Sequence, residues 1–215
     1  MKTTLRALLI FTLTATGIPQ SVPLMDSAPK NFRWSERQAH ELDYRHTIKT
    51  SHELSTEQRN ALVKIIVAQL RHETFEDTTE LQCFAADTRI EFIDLIGDGT
   101  KEIVAQSNGL GPCSATGNCI LWVFQSIPQG YKLLLDSTEG KWGGGVQVLR
   151  VLASSSNGFR DIVLGSHGSA TERTLLVYNY SDGSYRPSAC YSMTWWSEET
   201  MRVLKVPRIL TCKEP

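Results

Sequence analysis

The amino-acid sequence predicts a mainly β (α+β) fold: an antiparallel β-sandwich or partial propeller-like sheets, with one N-terminal helix packed on them. From Leu81 onward, β-branched and aromatic residues come in runs of five to eight, separated by Gly, Asn, Asp and Ser. No long helical pattern interrupts these runs, and the short turns between them imply antiparallel pairing. The third indication is a weak internal repeat of about 55 residues.

The predicted strands are short and evenly distributed, which is typical of a single β-rich domain over residues 55–215. We expect them at about residues 81–86, 89–95, 101–107, 119–126, 130–136, 146–153, 159–165, 173–180, 184–187, 190–196 and 208–212.

One clear helix precedes the strands, over residues 55–71. Ser55 and Gln58 have the spacing of a capping box at its start. Apolar residues then recur at helical spacing at Ala61, Leu62, Ile65, Ile66 and Leu70. A face this wide needs a partner, and we expect it to pack on one side of a sheet.

The internal repeat joins two tandem units. The segment from Gly99 to Val104 matches the segment from Gly158 to Val163 at an offset of 59 residues. The stretch 121–124 matches 175–178, and Gly130-Tyr131 matches Ser184-Tyr185, both at an offset of 54. Each unit therefore consists of a turn, a strand, a variable loop and a hairpin.

The first 17 residues have the features of a secretory signal peptide. Lys2 and Arg6 provide a basic start, an apolar stretch follows, and Ala15 and Gly17 are small residues before the expected cleavage site. The apolar stretch is shorter than the ~20 residues of a membrane span. The alternative to a signal peptide is a buried N-terminal helix. We expect a periplasmic or extracellular protein in which residues 18–54 form an extended or partly helical leader.

Charge excludes one large class of partner. The chain has 22 basic and 23 acidic residues, and removal of residues 1–17 leaves a net charge of −3. Because no Lys/Arg cluster is present, nucleic acid is not an expected partner. We expect a monomer without a membrane span that binds a protein or carbohydrate ligand.

Five cysteines indicate disulfides in an oxidising compartment. We predict Cys113–Cys119 and Cys190–Cys212, whose loops would contribute about 2.4 and 3.4 kcal/mol in the chain-entropy treatment. Cys83 lies in an apolar run and is interpreted as a buried, unreactive thiol; pairing with Cys113 or with another chain is the alternative. No C-x-x-C spacing occurs, so neither a zinc site nor a thioredoxin-type site is predicted.

An acidic turn is the sharpest local motif. Asp94, Asp98 and Glu102 occupy the first, fifth and ninth positions of a glycine-containing loop, the pattern of oxygen ligands in calcium sites. Ile96 takes a position where a further oxygen ligand is expected. The alternative is an Asp-Gly turn whose carboxylates cap backbone amides. Calcium is the one cofactor that the sequence allows for.

This stretch resembles the FG-GAP/VCBS type of repeat, and it is similar to small secreted bacterial proteins that carry the motif. The resemblance is carried by Asp94, Gly97, Asp98, Gly99, Glu102, Ile103, Val104, the run 121–124 and Gly130-Tyr131. In full arrays such repeats build propellers used for adhesion and ligand binding. Two copies are fewer than the four blades of the smallest propellers, which favours a two-unit sandwich.

Trp142 followed by Gly143, Gly144 and Gly145 is the predicted binding segment. The glycines favour neither helix nor strand, so the segment is a loop between the two units. An aromatic residue on such a loop is a plausible contact for a ligand. The alternative is that Trp142 folds back onto the core.

Catalytic patterns are weak. His40, His46 and His52 do not share a helical face, and no HExxH motif occurs. Ser166 and His167 are neighbours on a predicted strand, so their side chains point to opposite sides.

We therefore predict no catalytic residues and an exported, non-enzymatic binding or structural module. One alternative is a secreted hydrolase whose site lies on loops 108–118 and 138–145. Another is an inhibitor of a secreted enzyme such as lysozyme, because Ser-Asp-Gly-Ser-Tyr at 181–185 resembles the Ser-Gly-x-x-Tyr loops of such inhibitors. A hairpin turn explains this segment equally well.

Overall fold

The computed structural model describes residues 44–70, 77–109, 113–140 and 142–212. It contains two antiparallel five-stranded sheets, one of them strongly curled, and two helices, which confirms the predicted mainly β fold. The predicted signal peptide, most of the predicted leader and His40 lie outside the described residues.

Both sheets are simple meanders, in which each strand pairs with its neighbour along the chain. The first sheet consists of β1 (His46–Thr47), β2 (Arg89–Ile93), β3 (Glu102–Gln106), β4 (Leu121–Ile127) and β5 (Gly130–Asp136). The second consists of β6 (Val148–Ser156), β7 (Phe159–Ser169), β8 (Glu172–Ser181), β9 (Ser184–Ser197) and β10 (Arg202–Thr211).

Three apolar clusters hold these layers together. The first lies between the sheets, and the alternation of side chains along each strand supplies it from both sides. The second lies between the first sheet and the helices, where Trp122 and Phe124 are fully buried. The third is a smaller cluster on the outer face of the second sheet, around Val163, Leu175, Tyr191 and Met193.

Helix α1 (Thr56–Gln69) begins as predicted. The amide of Gln58 donates to the Ser55 hydroxyl over 3.2 Å, and the Gln58 side chain accepts from the Ser55 amide at 2.8 Å, which completes the capping box. Leu62 and Ile66 are buried four residues apart, so the helix packs one apolar face against the first sheet.

The prediction of a strand at 81–86 was wrong, because this segment is part of helix α2 (Thr78–Ala86). The carboxylate of Asp77 accepts from the amides of Thr79 and Glu80 and so fixes the start of the helix. Leu81 and Ala85 then bury one face. A short apolar run does not by itself distinguish a helix from a strand, and the acidic cap upstream decides it.

Cys83 was also misplaced. We interpreted it as a buried thiol, but it is exposed on the outer side of α2 and forms no disulfide. The two predicted disulfides, Cys113–Cys119 and Cys190–Cys212, are confirmed.

The C-terminal strands are longer than predicted. The segments 184–187 and 190–196 form one strand, β9, whose register shifts near Pro187. A register shift of this kind is a β-bulge, which absorbs the proline without ending the strand. Strand β10 begins at Arg202, six residues before the predicted start.

The two sheets stack front to back. Leu121 points from the first sheet toward the second, whereas Leu175, which the predicted repeat aligns with it, points away from the first sheet. Trp122 packs under the helices, and its aligned residue Leu176 packs between the sheets. Residues that the repeat aligns therefore lie on the same face of their own sheets. The two sheets pack with the front face of the first against the back face of the second.

Candidate functional site

A cleft of about 300 Å³ lies beside Trp142, between the loop that joins the sheets and the inner face of the second sheet. The described residues that line it are all uncharged: Asn118, Trp142, Gly143, Gly144, Gly145, Val146, Leu164, Gly165, Ser166, Thr174 and Leu176. The structure thus brings the four residues of the predicted binding segment together along one cleft.

The wall opposite the loop consists of two cross-strand residue pairs of β7 and β8, one polar and one apolar. Ser166 pairs with Thr174 in the ladder between β7 and β8, and both are half-buried on the cleft side. Two residues along, Leu164 pairs with Leu176, and both are buried. Trp142 is half-buried and packs against the inter-sheet cluster. The cleft therefore combines the ring of Trp142, the hydroxyls of Ser166 and Thr174, and an apolar surface formed by Leu164 and Leu176.

The glycines of the loop permit close approach of backbones. A Cβ atom on Gly143 would lie 2.1 Å from the carbonyl oxygen of Thr138, and one on Gly145 would lie 2.8 Å from the Asn118 backbone. A Cβ atom on Gly144 would meet nothing within 4 Å. Only Gly143 and Gly145 are therefore required by packing, while Gly144 lies open on the cleft.

Backbone hydrogen bonds tie the loop to both sheets. The Gly144 amide donates to the Ser137 carbonyl at 2.7 Å. Val146 and Cys119 exchange two bonds of 2.7 and 2.9 Å, next to the Cys113–Cys119 disulfide. The Gln147 amide then donates to the Gly165 carbonyl at 2.8 Å. The position of Trp142 follows from these connections on each side of the cleft.

Asn118 closes one end of the cleft. Its amide nitrogen donates to the His167 carbonyl, and its amide oxygen accepts from the His167 N–H, both at 2.8 Å. This paired contact links the disulfide loop of the first sheet to β7 of the second. We did not identify Asn118 from the sequence, because the bond spans 49 residues and no local pattern reports it.

The acidic turn has its carboxylates engaged with backbone amides. Asp94 accepts from the amides of Gly97 at 2.5 Å and Gly99 at 3.0 Å, and Asp98 accepts from Thr100 at 2.7 Å. Hydrogen bonds from these amides, that of Gly97 first, lower the pKa of Asp94. The geometry is that of an Asp-Gly turn.

Glu102 differs from the other two carboxylates because it is 1% exposed. Its side chain accepts from the Leu95 amide at 2.9 Å. Burial raises the pKa of Glu102, and the nearby charges of Asp94 and Asp98 act in the same direction. Within the described ranges, no group of three or more His, Cys, Asp or Glu side chains is arranged to hold a metal ion. The calcium site stays a prediction.

A second cleft, of about 260 Å³, lies between β5 and β9. Asp136 on its wall is buried and accepts from the indole nitrogen of Trp122 at 3.0 Å and the hydroxyl of Thr138 at 2.7 Å. Burial raises the pKa of Tyr178 to about 12, with a smaller contribution from the charge of Asp136. The bonds of Asp136 therefore connect β4, β5 and the turn that follows β5 within the first sheet.

The turn 181–185, which suggested an enzyme inhibitor, has its tyrosine inside the protein. Tyr185 is 4% exposed, and its hydroxyl donates to the Arg160 carbonyl at 2.8 Å. Burial raises the pKa of Tyr185, and Glu102 and Asp161 add to this. The ring stands edge-on to Phe159 and Tyr180, so it serves as a packing residue rather than an exposed contact.

The other predicted residues are dispersed. Ser166 lines the cleft, whereas His167, its neighbour on β7, belongs to the other face of the strand. His46, on edge strand β1 of the first sheet, and His52 lie with ring centroids 6.2 Å apart, and neither lines the cleft.

In comparisons with known proteins, no family model, no curated protein and no solved structure matches the chain. Two disulfides indicate an oxidising, exported environment. Among the described residues, no helix is long and apolar enough to cross a membrane.

Proposed function

We propose that this protein is an exported, non-enzymatic binding module, periplasmic or extracellular, and that its ligand is an uncharged carbohydrate held in the cleft beside Trp142. The observation that carries the proposal is the described lining of that cleft, which combines Trp142 with the hydroxyl pair Ser166–Thr174 and has no charged side chain among the described residues. The resemblance to FG-GAP/VCBS repeats, which serve adhesion and ligand binding, supports a binding role.

The absence of charge in the lining argues for a neutral ligand. A charged group placed in this cleft would lose water and meet no opposite charge, which is unfavourable. A sugar presents hydroxyls that Ser166 and Thr174 are able to bond, and apolar C–H faces that pack on an indole ring. The volume of about 300 Å³ is at the lower end of the range for small-molecule sites.

The hydrolase alternative receives less support from the same cleft. Ser166, the nucleophile candidate from the sequence, lines the cleft. The side chain of His167, its neighbour on β7, points away from the cleft. Nucleophilic catalysis needs a base within hydrogen-bond reach of the hydroxyl. A panel of chromogenic ester, glycoside and peptide substrates tests this alternative, and turnover lost in Ser166→Ala would establish it.

The test of the proposal is calorimetric titration of the mature protein with neutral mono- and disaccharides, and with charged analogues such as uronic acids and amino sugars. We expect neutral sugars to bind and charged analogues to bind more weakly. Trp142→Ala removes the stacking surface and should abolish binding. Thr174→Val keeps the shape but removes a hydroxyl, and should weaken binding about tenfold, as for a lost hydrogen bond of ~1.4 kcal/mol.

Trp196→Ala is the matched control, because it also removes a half-buried indole but does not line the cleft. Thermal unfolding of each variant shows that the fold is retained. Sugar binding that survives Trp142→Ala, or a preference for charged sugars, would contradict the proposed site.

A further inference from the structure

Exposed apolar side chains are concentrated on one hairpin. In the described part of the chain, the exposed large apolar residues are Met201 (70% exposed), Val203 (66%), Val206 (76%) and Leu210 (56%). All four lie on β10 or on the turn that precedes it. Scattered apolar residues are normal on a protein surface, but this concentration on one segment indicates an interaction surface.

The hairpin projects beyond the rest of its sheet. The ladder between β8 and β9 ends at the pair Glu172–Thr194. Strand β9 continues past this point with only β10 beside it, through the pairs Trp196–Val203 and Ser197–Arg202. We refer to residues 195–210 as the hairpin end. Residues 195–207 project beyond the ladder with β8, so their side chains are accessible from more than one side, whereas residues 208–210 pair with 192–194 at the sheet edge.

The backbone of the hairpin end is poorly suited to pairing with another strand. The register of β9 and β10 shifts between Val203 and Arg208, so the residues between them bulge. Pro207, within the bulge, has no N–H to donate. Bulges, prolines and lysines protect sheet edges against strand addition. The surface thus offers side chains to a partner rather than a free sheet edge.

The charges of the hairpin end are mainly basic. Arg202, Lys205 and Arg208 are exposed and alternate with the apolar residues. The turn also carries Glu198 and Glu199, and the carboxylate of Glu199 lies 3.9 Å from the Arg208 guanidinium. Arg202 and Lys205 provide the cationic part of the surface closest to Val203 and Val206.

Two tryptophans lie at the base of this surface. Trp195 and Trp196 are half-buried, and the guanidinium of Arg173 lies 5.8 Å from the centre of the Trp195 ring. Indole rings favour the boundary between water and lipid headgroups, because one part of the ring is apolar and the N–H is polar.

We propose that the hairpin end binds the surface of an anionic phospholipid bilayer. A flat headgroup layer accepts projecting apolar side chains without needing backbone pairing, and anionic headgroups match the exposed cations. A second copy of this chain fits less well, because a two-fold contact through β10 would oppose one cation-rich strand to another. The proposal uses residues other than those of the carbohydrate cleft, because none of residues 195–210 is among the residues that line that cleft.

The experiment uses the mature protein and vesicles of two compositions: phosphatidylcholine alone, and equal parts of phosphatidylcholine and phosphatidylglycerol. Co-sedimentation measures the bound fraction, and quenching of tryptophan fluorescence by brominated lipid reports contact of the hairpin end with the bilayer. We expect binding to the anionic vesicles only, weakening as salt screens the headgroup charge.

The double variant Arg202→Gln, Lys205→Gln should lower partitioning into anionic vesicles roughly thirtyfold, about fivefold for each cation removed. Val203→Ser with Val206→Ser should lower partitioning into anionic vesicles by the same factor at every salt concentration, because these side chains supply apolar contact. All four residues are exposed, so the variants should unfold at the wild-type temperature. The matched control is Lys49→Gln with Lys64→Gln, which removes the same charge from exposed positions beside the first sheet.

Equal loss of binding in the control pair would show that net charge, rather than the hairpin end, is responsible, and would overturn the proposal. No binding to anionic vesicles at low salt would also overturn it. Sedimentation velocity without lipid tests whether a second copy of the chain occupies the surface instead. A dimer that Val206→Ser dissociates would assign the surface to that second copy.

Discussion

Asn118 and His167 exchange two hydrogen bonds of 2.8 Å across the junction between the two sheets. The Asn118 side chain satisfies the backbone N–H and the carbonyl of His167 with a single amide, and it also lines the cleft beside Trp142. One side chain therefore fixes the relative position of the two walls on which the proposed ligand rests.

Asn118→Asp should separate these walls. A carboxylate accepts from the His167 N–H but has no proton to donate to the His167 carbonyl, so the free energy of unfolding should fall by about 1–3 kcal/mol. Chemical denaturation measures this change, and sugar titration should show weaker binding. Asn60→Asp, the same substitution at an exposed site on α1, is the control and should leave both quantities unchanged.

Gly143 and Gly144 should respond oppositely to alanine. Gly143→Ala places a methyl group 2.1 Å from the Thr138 carbonyl oxygen, and should lower the free energy of unfolding by at least about 1–3 kcal/mol. Gly144→Ala meets open space and should change stability by less than about 0.5 kcal/mol. Equal effects of the two variants in denaturant titrations would refute the close-packing explanation of this loop.

Asp94→Ala should destabilise the acidic turn to the same extent with and without calcium. The substitution removes the acceptor for the Gly97 and Gly99 amides, and no ion is needed for this effect. Thermal unfolding with calcium or with a chelator makes the comparison, with Asp182→Ala on another exposed turn as the control. A calcium-dependent rise in the wild-type Tm that Asp98→Ala eliminates would establish the ion site instead.

Glu102→Gln should become more favourable relative to the wild type as pH rises. Burial raises the pKa of Glu102 above its ordinary value of 4.5, so the folded state holds this proton more tightly than the unfolded chain. The stability from the protonated carboxyl is present below pH 4.5 and is lost as pH rises through the raised pKa. Glutamine mimics the neutral form at every pH and keeps an acceptor for the Leu95 amide.

The measurement is the difference in Tm between Glu102→Gln and the wild type, followed from about pH 3 to about pH 8. We expect this difference to increase with pH. Glu139→Gln, which removes a carboxylate at an exposed position, is the matched control. A flat or falling difference for Glu102→Gln would contradict the direction assigned to its pKa.

The double variant Cys113→Ser, Cys119→Ser should loosen the cleft. The disulfide closes a loop of seven residues, and its loss should lower the free energy of unfolding by about 2.4 kcal/mol. Cys119 also exchanges two backbone bonds with Val146 under the Trp142 loop, so sugar binding should weaken as well. Cys190→Ser with Cys212→Ser, the control, should lower stability by about 3.4 kcal/mol because its loop is longer, but leave sugar binding intact.

The sequence predicted strands where residues alternate strongly between two environments. Strand β5 matches its prediction because hydrophobic runs and a flanking glycine define both of its ends. The prediction for segment 81–86 was wrong because a run of six residues, five of them apolar, has no resolvable period; the cap at Asp77 identifies the helix. β10 was underestimated because its apolar residues alternate with cations, a pattern that favours exposure over a buried strand.

The site was predictable only in part. Trp142 and its glycines stand out locally, as aromatic residues on loops do. Asn118, Ser166 and Thr174 become part of the cleft only after two strands pair and two sheets meet. Their sequence separations from Trp142 exceed any local periodicity, and such contacts are determined by tertiary structure.

The meander order of both sheets has a consequence for the route by which the chain folds. Each strand from β2 onward, except β6, which begins the second sheet, pairs with the strand that precedes it in the chain. The helices and first sheet form one contiguous segment, and the second sheet adds to it front to back as the rest of the chain follows. Such a topology allows folding to proceed in one direction, from the amino to the carboxyl end, in step with export.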